Sequence, residues 1–556
     1  MTESAIASLE ATRPAGSLKP ADGPTRDPRS RSQRRRARLG GKAWLVLWAL
    51  ALLWSGAAFL DTQHGVLNRD GWPALAEFWV HAVRPDLSSQ FLRTTVDAAV
   101  TTLAFGVLGT LLSVVIGIAF APLMSQTWWA PGSHSRASRG LRTAGLLLTR
   151  ITAAVPRGVH EAVWGLLLLS VLGRDPLVGV LAIAIPFGAI TAKVYSELLD
   201  EADLGPYQVL RAAGAGRASA LLYGVLPGLL PTATSYAFYR FECSIRSAVI
   251  LGMIGAGGLG LQLSLSFQGL QYAEMWTSIY ALVLLGAVID RWGASLRQSA
   301  GGRRWKLSGV LLALLTIASV WHLSPDLSRW FSGRTGALLG RLIDDLVPPR
   351  LPQRGWADIA ARSVETLQMS VVAISFAAVL GLLLCPLAAR GGTSPVRRAV
   401  GWLARQLLLL TRAVPPPVWA LLVLFVIYPG PLPGALALGI YTFGILGRLF
   451  AEVMEDLDRR PRDALSAIGA TPWATFAYAT VPGASGQLIS YSLYRWEVTA
   501  RETVIVGLVG AGGLGRLLEQ QRVAFDYPGM AGTVLALVVV CVVVDLISVA
   551  VRTSLR

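Results

Sequence analysis

Charged residues recur at a fixed spacing inside two apolar segments of the chain. Residues 235–260 read SYAFYRFECSIRSAVILGMIGAGGLG, and residues 490–515 read SYSLYRWEVTARETVIVGLVGAGGLG. In both, a glutamate stands four residues before an arginine, the order that favours an ion pair on one face of a helix. A guanidinium group can also bind an oxyanion through two parallel hydrogen bonds. The spacing therefore indicates either a self-neutralised structural pair or a path for an anion, and the residues concerned are Arg240, Glu242, Arg246, Arg495, Glu497 and Arg501.

Each segment ends in a glycine-rich stretch that matches the G-x-G-x-x-G pattern of dinucleotide-binding turns. No strand–helix unit and no ribose-binding acid flank either copy, so nucleotide binding is not predicted. Irregular glycine backbone at membrane depth is tolerated where it is buried or lines a cavity. We expect these glycines to permit close helix packing, with contact between their N–H groups and an anion as the alternative. They are Gly255, Gly257, Gly258, Gly260, Gly510, Gly512, Gly513 and Gly515.

Other common chemistries lack their signatures in this sequence. Cys243, Cys385 and Cys541 lie in apolar runs without the spacing of a disulfide framework or a zinc site. The five histidines show no ligand spacing, and the phosphate-binding pattern G-x-x-x-x-G-K-[ST] does not occur. We predict no catalytic residues, no metal and no ATP hydrolysis by this chain.

Composition places the chain in a membrane. It has 556 residues, of which 53% are hydrophobic and 15% charged, with a formal net charge of +17. Soluble globular chains carry about 25% charged residues, so a disordered chain, a nucleic-acid-binding module and most cytosolic enzymes are excluded. A span needs about 20 mostly apolar residues, and such windows alternate here with short arginine-rich ones. We predict an all-α polytopic membrane protein with about 12 transmembrane helices, the less clean ones lying near 142–173, 222–252, 397–427 and 480–508.

The positions of lysine and arginine predict the orientation. Residues 1–43 carry ten basic residues against four acidic ones, and the linker 291–306 carries five basic residues. The positive-inside rule then places both termini and the linker in the cytoplasm. Residues 1–42, rich in proline, serine and arginine, are predicted to form a basic disordered cytoplasmic tail.

The chain is an internal duplication. From about residue 157 onward the first half matches the second at an offset of 255, and 15 of the 26 positions in 235–260 and 490–515 are identical. We predict a first repeat unit at 43–297 and a second at 298–556. Each holds about six spans, so the two insert in the same orientation as tandem parallel repeats. Ser247 is replaced by Glu502 in the second copy, which predicts an asymmetric path.

A polar loop occurs once in each unit, at 205–222 and 460–477, on the predicted cytoplasmic side. A proline opens a short helix in each, and Gly214 or Gly469 ends it. Taken alone, a short amphipathic loop helix of this kind is compatible with an ordinary surface element.

The order of loop and charged segment resembles the phosphonate-type permeases of ABC importers, a group of binding-protein-dependent transport system inner-membrane components. Their EAA loop, a coupling helix, is followed by an LYRxExxIR-like segment and by VLGxxGAGGxG. The resemblance covers roughly 90–295 and 360–552 and occurs twice. This chain departs from the pattern at Gln208 and Asp463, where the family often has glutamate. Family members usually hold one unit per chain and dimerise, whereas two units are fused here.

The resemblance implies a type I ABC importer-like fold and a transport subunit of the bacterial plasma (inner) membrane, with no enzyme activity. Its partners would be two copies of an ABC ATPase, an extracytoplasmic substrate-binding protein and membrane lipid, without nucleic acid. The chain would hold no cofactor, since the ATPase binds ATP and Mg²⁺. The unequal loops imply that the two ATPase contacts differ. The coupling residues carried over from the family are Gln208, Arg211, Ala213, Gly214, Asp463, Ser466 and Gly469.

The implied substrate is phosphonate or a related phosphorus oxyanion, phosphate or phosphite, moved by ATP-driven alternating access. A permease for another small solute, such as an amino acid or an osmolyte, is the nearer alternative. A membrane-embedded phosphotransferase is the more distant one. It would require clustered polar catalytic residues near one interface and activity without an ATPase.

Overall fold

The computed structural model describes residues 41–60, 65–129, 136–173, 175–298, 303–324, 333–346, 355–390 and 394–555. Within these ranges the chain is helical, apart from turns and one isolated antiparallel bridge between Leu67 and Ile427. The predicted all-α class is confirmed. The predicted disordered tail lies outside the described residues except for its last two positions.

Ten helices of eight or more residues form the described part of the first half. A turn of π-helix, Leu221–Val225, leads into the eighth of them, and a second, Gly252–Ala256, follows it. The helices are α1 Gly41–Leu60, α2 Trp72–Val80, α3 Ser89–Met124, α4 Arg136–Gly158, α5 Glu161–Leu172, α6 Pro176–Glu201, α7 Gly205–Ala212, α8 Leu226–Leu251, α9 Gly258–Gln268 and α10 Tyr272–Gln298.

The described part of the second half repeats this order, so the duplication in the sequence is also a duplication of structure. The π-helical turn before the long charged helix recurs at Phe476–Thr480. The helices are α11 Arg303–Leu323, α12 Gly333–Leu346, α13 Gly355–Ala388, α14 Pro395–Ala413, α15 Pro416–Val426, α16 Pro431–Asp456, α17 Arg460–Ala467, α18 Val481–Leu508, α19 Gly513–Val523 and α20 Tyr527–Leu555.

Seven described helices are long and apolar enough to cross a membrane, and three bent pairs raise the number to ten. The bends are 83° between α4 and α5, 54° between α8 and α9, and 96° between α14 and α15. The sequence predicts about twelve spans, so the described helices support a somewhat smaller number. The apolar helix α1 is shorter, and helix α18 carries two arginines and two glutamates in its second half.

The bend between α14 and α15 has a local cause. Val414 and Pro415 adopt extended backbone between the two helices, and Pro416 opens the second. Proline lacks the N–H that continues a helix and drives the preceding residue away from helical angles. The span predicted at 397–427 is therefore broken at these residues.

The first helix of each half packs against the opposite half. The Trp48 indole nitrogen of α1 donates to the Ser375 hydroxyl of α13 at 3.0 Å, and its ring meets that of Trp496 edge-on at 4.9 Å. In α11, the His322 Nε2 atom lies 2.9 Å from the Thr101 hydroxyl of α3. The two halves are therefore interlocked, although their sequences follow one another.

The largest apolar core lies between the halves. It combines Leu259 and Met275 from the first half with Met369 and Leu438 from the second, all of them almost completely buried. A shared core of this kind holds α8 and α18, the two helices that carry the intramembrane charges, in a fixed relation to each other.

Candidate anion pathway between the repeats

Two buried arginines, one from each repeat, lie on helices α8 and α18. The side chains of Arg240 and Arg495 are 7% and 8% exposed. The Arg240 guanidinium carbon lies 3.6 Å from the centre of the Phe187 ring, a cation–π contact. Within the described part of the chain, its Nε and Nη2 atoms have no hydrogen-bond partner, and the Nε atom of Arg495 has none either. A buried cation with free donors is costly unless an anion completes it.

Tyrosines connect these two arginines across the interface. Tyr494 of the second half lies within electrostatic range of both Arg240 and Arg495. Tyr239, its counterpart in the first half, has Tyr494 and Arg240 among its neighbours. Tyr494 therefore lies near both guanidinium groups, one from each half.

A second group of charges lies beside Arg240. Arg246 and Glu242 form the predicted ion pair one helical turn apart on α8. The neighbouring Asp290 of α10 accepts a hydrogen bond from Arg412 of α14 at 2.6 Å, so this contact joins the two halves. Asp290 and Arg412 were not among the predicted site residues, although both recur at the offset of 255, as Asp545 and Arg157.

The matching group in the second half pairs differently. Glu497 accepts a hydrogen bond from Arg552 of the last helix, and Arg501 lies 4.0 Å from Asp545. The expected pair between Glu497 and Arg501 is therefore not formed, because α20 supplies a closer cation for the glutamate. Within the described residues no carboxylate lies within 4 Å of Arg157, the counterpart of Arg412.

Arg157 instead lines a cavity of about 380 Å³ between the ends of α3, α4 and α6. The other cations on its wall have nearby carboxylates: Arg150 lies 3.8 Å from Asp200, and Lys193 lies 3.7 Å from Glu197. The first half therefore holds a charged cavity in which one guanidinium lacks an ion pair.

Glu161 was not among the predicted site residues, and its carboxylate contacts helix α8. Glu161, at the start of α5, accepts a hydrogen bond from the Ser247 hydroxyl at 2.5 Å, and its other oxygen lies 3.2 Å from His160 Nδ1. The second half has proline at the corresponding position, Pro416. Because Glu161 has no copy in the other half, it belongs to no repeated motif and was not predicted as a site residue.

The glycine-rich stretches form tight turns between α8 and α9 and between α18 and α19. A Cβ atom at Gly260 would lie 1.9 Å from the Val249 carbonyl oxygen, and one at Gly515 would lie 2.3 Å from that of Val504. Only glycine fits at either place. Six of the eight predicted glycines have positive φ: Gly255, Gly257, Gly258, Gly510, Gly512 and Gly513.

Threonines on the long helices hold both turns in the same way. The Leu259 backbone N–H donates to the Thr102 hydroxyl of α3 at 2.9 Å. In the second half, the Leu514 N–H donates to the Thr366 hydroxyl of α13 at the same distance. The glycine turns are therefore anchored to α3 and α13, the two helices that pack most extensively against another helix of their own half.

The predicted coupling loops contain α7 and α17, neither of which has a buried residue. Each ends in a Schellman turn at a glycine of positive φ, +88° at Gly214 and +83° at Gly469. Tyr223 and Tyr478, in the π-helical turns that follow, are both 79% exposed. All seven predicted coupling residues are exposed, which leaves both loops open to a partner: Gln208, Arg211, Ala213, Gly214, Asp463, Ser466 and Gly469.

Comparison with known proteins gives the same arrangement of two units. Residues 113–298 and 367–556 each match the family described as binding-protein-dependent transport system inner membrane component. The phosphate-import permease protein PhnE of Mycolicibacterium smegmatis is 28% identical over 470 residues, 82% of this chain and 85% of that protein. The phosphite transport system permease protein PtxC of Stutzerimonas stutzeri is 32% identical over 210 residues, 38% of this chain and 75% of that protein.

A solved inward-facing MetNI methionine ABC transporter chain is 20% identical with a TM-score of 0.33, covering 36% of this chain and 96% of its own. Members of the matched family are multi-pass inner-membrane permeases of ABC importers. They are transport subunits, not enzymes, and work with an ATPase and a substrate-binding protein. Since the two matches together cover more than half of the chain, it belongs to the family of binding-protein-dependent transport system inner membrane components.

Proposed function

We propose that the chain supplies both permease units of an ABC importer for phosphonate or a related phosphorus oxyanion, phosphate or phosphite. The observation that carries this proposal is the pair of buried arginines, Arg240 and Arg495, each with at least one guanidinium donor that no group among the described residues satisfies. The names of the relatives, a phosphate-import and a phosphite permease, support the same substrate class.

The arginine pair favours an anionic substrate for a physical reason. Tetrahedral oxyanions of phosphorus offer several acceptor oxygens, and a guanidinium can donate to two of them at once. Binding would give Arg240 the counter-charge and the hydrogen bonds that its buried Nε and Nη2 atoms lack. A neutral solute would leave this charge uncompensated, which is costly in a site removed from water. The alternative of an osmolyte permease is therefore less well supported.

The remaining predicted pathway residues have supporting parts in this proposal. Arg246 and Glu242 neutralise each other beside the path, as do Glu497 and Arg552 on the other side. Arg501 faces Asp545 more loosely, at 4.0 Å. The glycine turns at Gly255–Gly260 and Gly510–Gly515 keep the helices close enough for the two arginines to share one region.

Two copies of the ATPase would engage the loops 205–222 and 460–477, with both chain termini on the same, cytoplasmic side. ATP and Mg²⁺ would be held by the ATPase, and this chain would bind neither. ATP binding would favour one of two arrangements of the halves over the other. The contact between Arg412 and Asp290 crosses the interface and is suited to differ between those arrangements.

The test is uptake into proteoliposomes that contain the chain, its ATPase and its binding protein. Phosphate, phosphite and methylphosphonate are offered singly, beside an amino acid and glycine betaine. We expect ATP-dependent uptake of at least one phosphorus oxyanion and none of the other two solutes. Uptake confined to the amino acid or the betaine would overturn the proposal, and phosphoryl transfer without the ATPase would indicate the enzyme instead.

A further inference from the structure

Helices α8 and α18 differ at one buried position beside the arginine pair. In α18 the position is Glu502, whose Oε2 atom lies 3.4 Å from Arg495 Nη2. In α8 it is Ser247, which has no charge and donates its hydroxyl hydrogen bond to Glu161. Arg495 therefore has a carboxylate partner seven residues along its own helix. Among the described residues no carboxylate lies within 4 Å of Arg240, and Glu161 acts on it only from a longer range.

We propose that Glu502 is a built-in counter-ion that competes with the transported oxyanion for the guanidinium of Arg495. The inference rests on the proposed function, since it assigns a role to one residue of the same site. In this arrangement Arg240 is the first to bind substrate, and Arg495 binds it only by giving up Glu502. Arg240 of the first half therefore raises the affinity of the site for the oxyanion, and Glu502 of the second half lowers it.

The chemistry of the groups makes this competition direct. A carboxylate and a phosphorus oxyanion use the same guanidinium donors. An oxyanion that reached Arg495 while Glu502 remained there would place two like charges together in a buried site, which is unfavourable. Substrate binding at Arg495 thus requires the contact with Glu502 to lengthen or break.

The geometry of the pair suits an exchangeable contact. Strong charge-assisted hydrogen bonds between nitrogen and oxygen are about 2.7–2.9 Å long, whereas Arg495 and Glu502 are 3.4 Å apart. The Nε atom of Arg495 stays free even with Glu502 in place. The pair between Arg412 and Asp290, at 2.6 Å, shows what a tight ion pair looks like in the same protein.

Displaced from Arg495, the Glu502 carboxylate would still have a cationic neighbour, Arg246. Arg246 and His160 lie within its electrostatic range, together with the carboxylate of Glu161. A transport site must bind strongly enough to accept its substrate and weakly enough to release it. A resident carboxylate that can return to Arg495 meets both requirements.

The test is equilibrium binding of radiolabelled inorganic phosphate, phosphite and methylphosphonate to the permease–ATPase complex in nanodiscs, without the binding protein. We expect Glu502→Gln, which removes the charge at nearly constant volume, to tighten binding at least tenfold. Glu502→Ser, which installs the residue of the first half, is a second variant with the same expected direction. Glu502→Asp keeps the charge and should bind as weakly as the unsubstituted protein.

Glu519→Gln is the matched control, since Glu519 is a carboxylate of the same half that pairs with Arg522 away from the two arginines. It should leave oxyanion binding unchanged. The inference is overturned if the unsubstituted complex binds an oxyanion and neither Glu502→Gln nor Glu502→Ser binds it more tightly, or if Glu502→Asp tightens binding equally. If the unsubstituted complex binds and transports none of the three oxyanions, the proposed function itself is wrong.

Discussion

The two halves of this protein repeat four charged positions and pair them differently. In the first half, Glu242 pairs with Arg246, and Asp290 accepts a short hydrogen bond from Arg412 of the opposite half. In the second half, Glu497 pairs with Arg552, and Asp545 lies 4.0 Å from Arg501. No carboxylate in the described part of the chain lies within 4 Å of Arg157, the counterpart of Arg412 in the first half. A duplication thus preserves where charges lie, while the choice of partner is free to diverge.

The glycine turns and coupling loops show the opposite behaviour. Both turns bond to a threonine at 2.9 Å, and both loops end in the same Schellman turn. These features are set by backbone geometry, which tolerates little variation, whereas an ion pair can be exchanged for another of equal charge. We therefore expect substitutions in the loops and turns to act alike in the two halves, and substitutions in the charge clusters to act unequally.

The largest effect is expected from the coupling loops. Gly214→Asp together with Gly469→Asp should abolish ATP-driven uptake. Each substitution puts a side chain at positive φ, at about 1 kcal/mol or more per site, and adds a carboxylate to the exposed loop. Co-purification of the ATPase and uptake in proteoliposomes provide the measurement.

The same substitutions made singly test whether the halves contribute equally. Because the two turns have the same geometry, we expect comparable losses of ATPase binding from either one. Full uptake by the double variant would contradict the assignment of both loops.

The next largest effect is a difference in stability between substitutions at Arg412 and at its counterpart, Arg157. Arg412→Gln leaves the carboxylate of Asp290 without its hydrogen-bonded cation, so we expect a loss of about 2 kcal/mol in stability. Arg157→Gln removes no ion pair shorter than 4 Å and should cost less than about 0.5 kcal/mol. Thermal unfolding of the purified protein in one detergent compares the two, and equal shifts in melting temperature would show that the asymmetry has no energetic weight.

We expect a similar but smaller difference in stability between substitutions at Arg246 on α8 and at Arg501 on α18. Arg246→Ala breaks a hydrogen-bonded pair with Glu242 and should cost about 1–2 kcal/mol. Arg501→Ala loses only a 4.0 Å contact with Asp545, which is worth about 0.5 kcal/mol or less. The measurement is again the melting temperature, and a larger loss for Arg501→Ala would reverse this comparison.

The smallest difference between the halves is expected at the glycine turns. Thr102→Val and Thr366→Val each remove the acceptor for one backbone N–H at a glycine turn, at about 1 kcal/mol apiece. Melting temperatures lowered by the same amount would support the equivalence of the turns. A loss confined to one variant would show that the turns differ in spite of their shared geometry.

Much of the fold was accessible from the sequence because its signals are local or repeated. The apolar windows predicted the spans, and the offset of 255 predicted the two units. The prolines and glycines of the loops predicted the ends of α7 and α17. The bends within spans were not predicted, although the one of 96° before α15 has its signal in the prolines of Val414–Pro417.

The ion pairs were harder to predict from the sequence, because the two residues of most pairs are distant in sequence. Arg412 and Asp290 are 122 residues apart and belong to different halves, and Glu497 and Arg552 are 55 apart. The rule for pairs one helical turn apart therefore predicted the contact between Glu242 and Arg246 and failed for Glu497 and Arg501. The hydrogen bond from Ser247 to Glu161 could not be predicted from the duplication, since the second half has Pro416 at the position of Glu161.

The central claim, that a buried arginine pair binds the transported oxyanion, is tested most directly at Arg240. Uptake of the transported oxyanion is measured in proteoliposomes for Arg240→Gln and for Arg398→Gln, an arginine exposed at the protein surface. The account predicts that Arg240→Gln lowers the ratio of kcat to KM for uptake at least tenfold, since a hydrogen bond to a charged group contributes about 1.5–3 kcal/mol, while Arg398→Gln changes it little. Full uptake by a folded Arg240→Gln transporter would contradict the account.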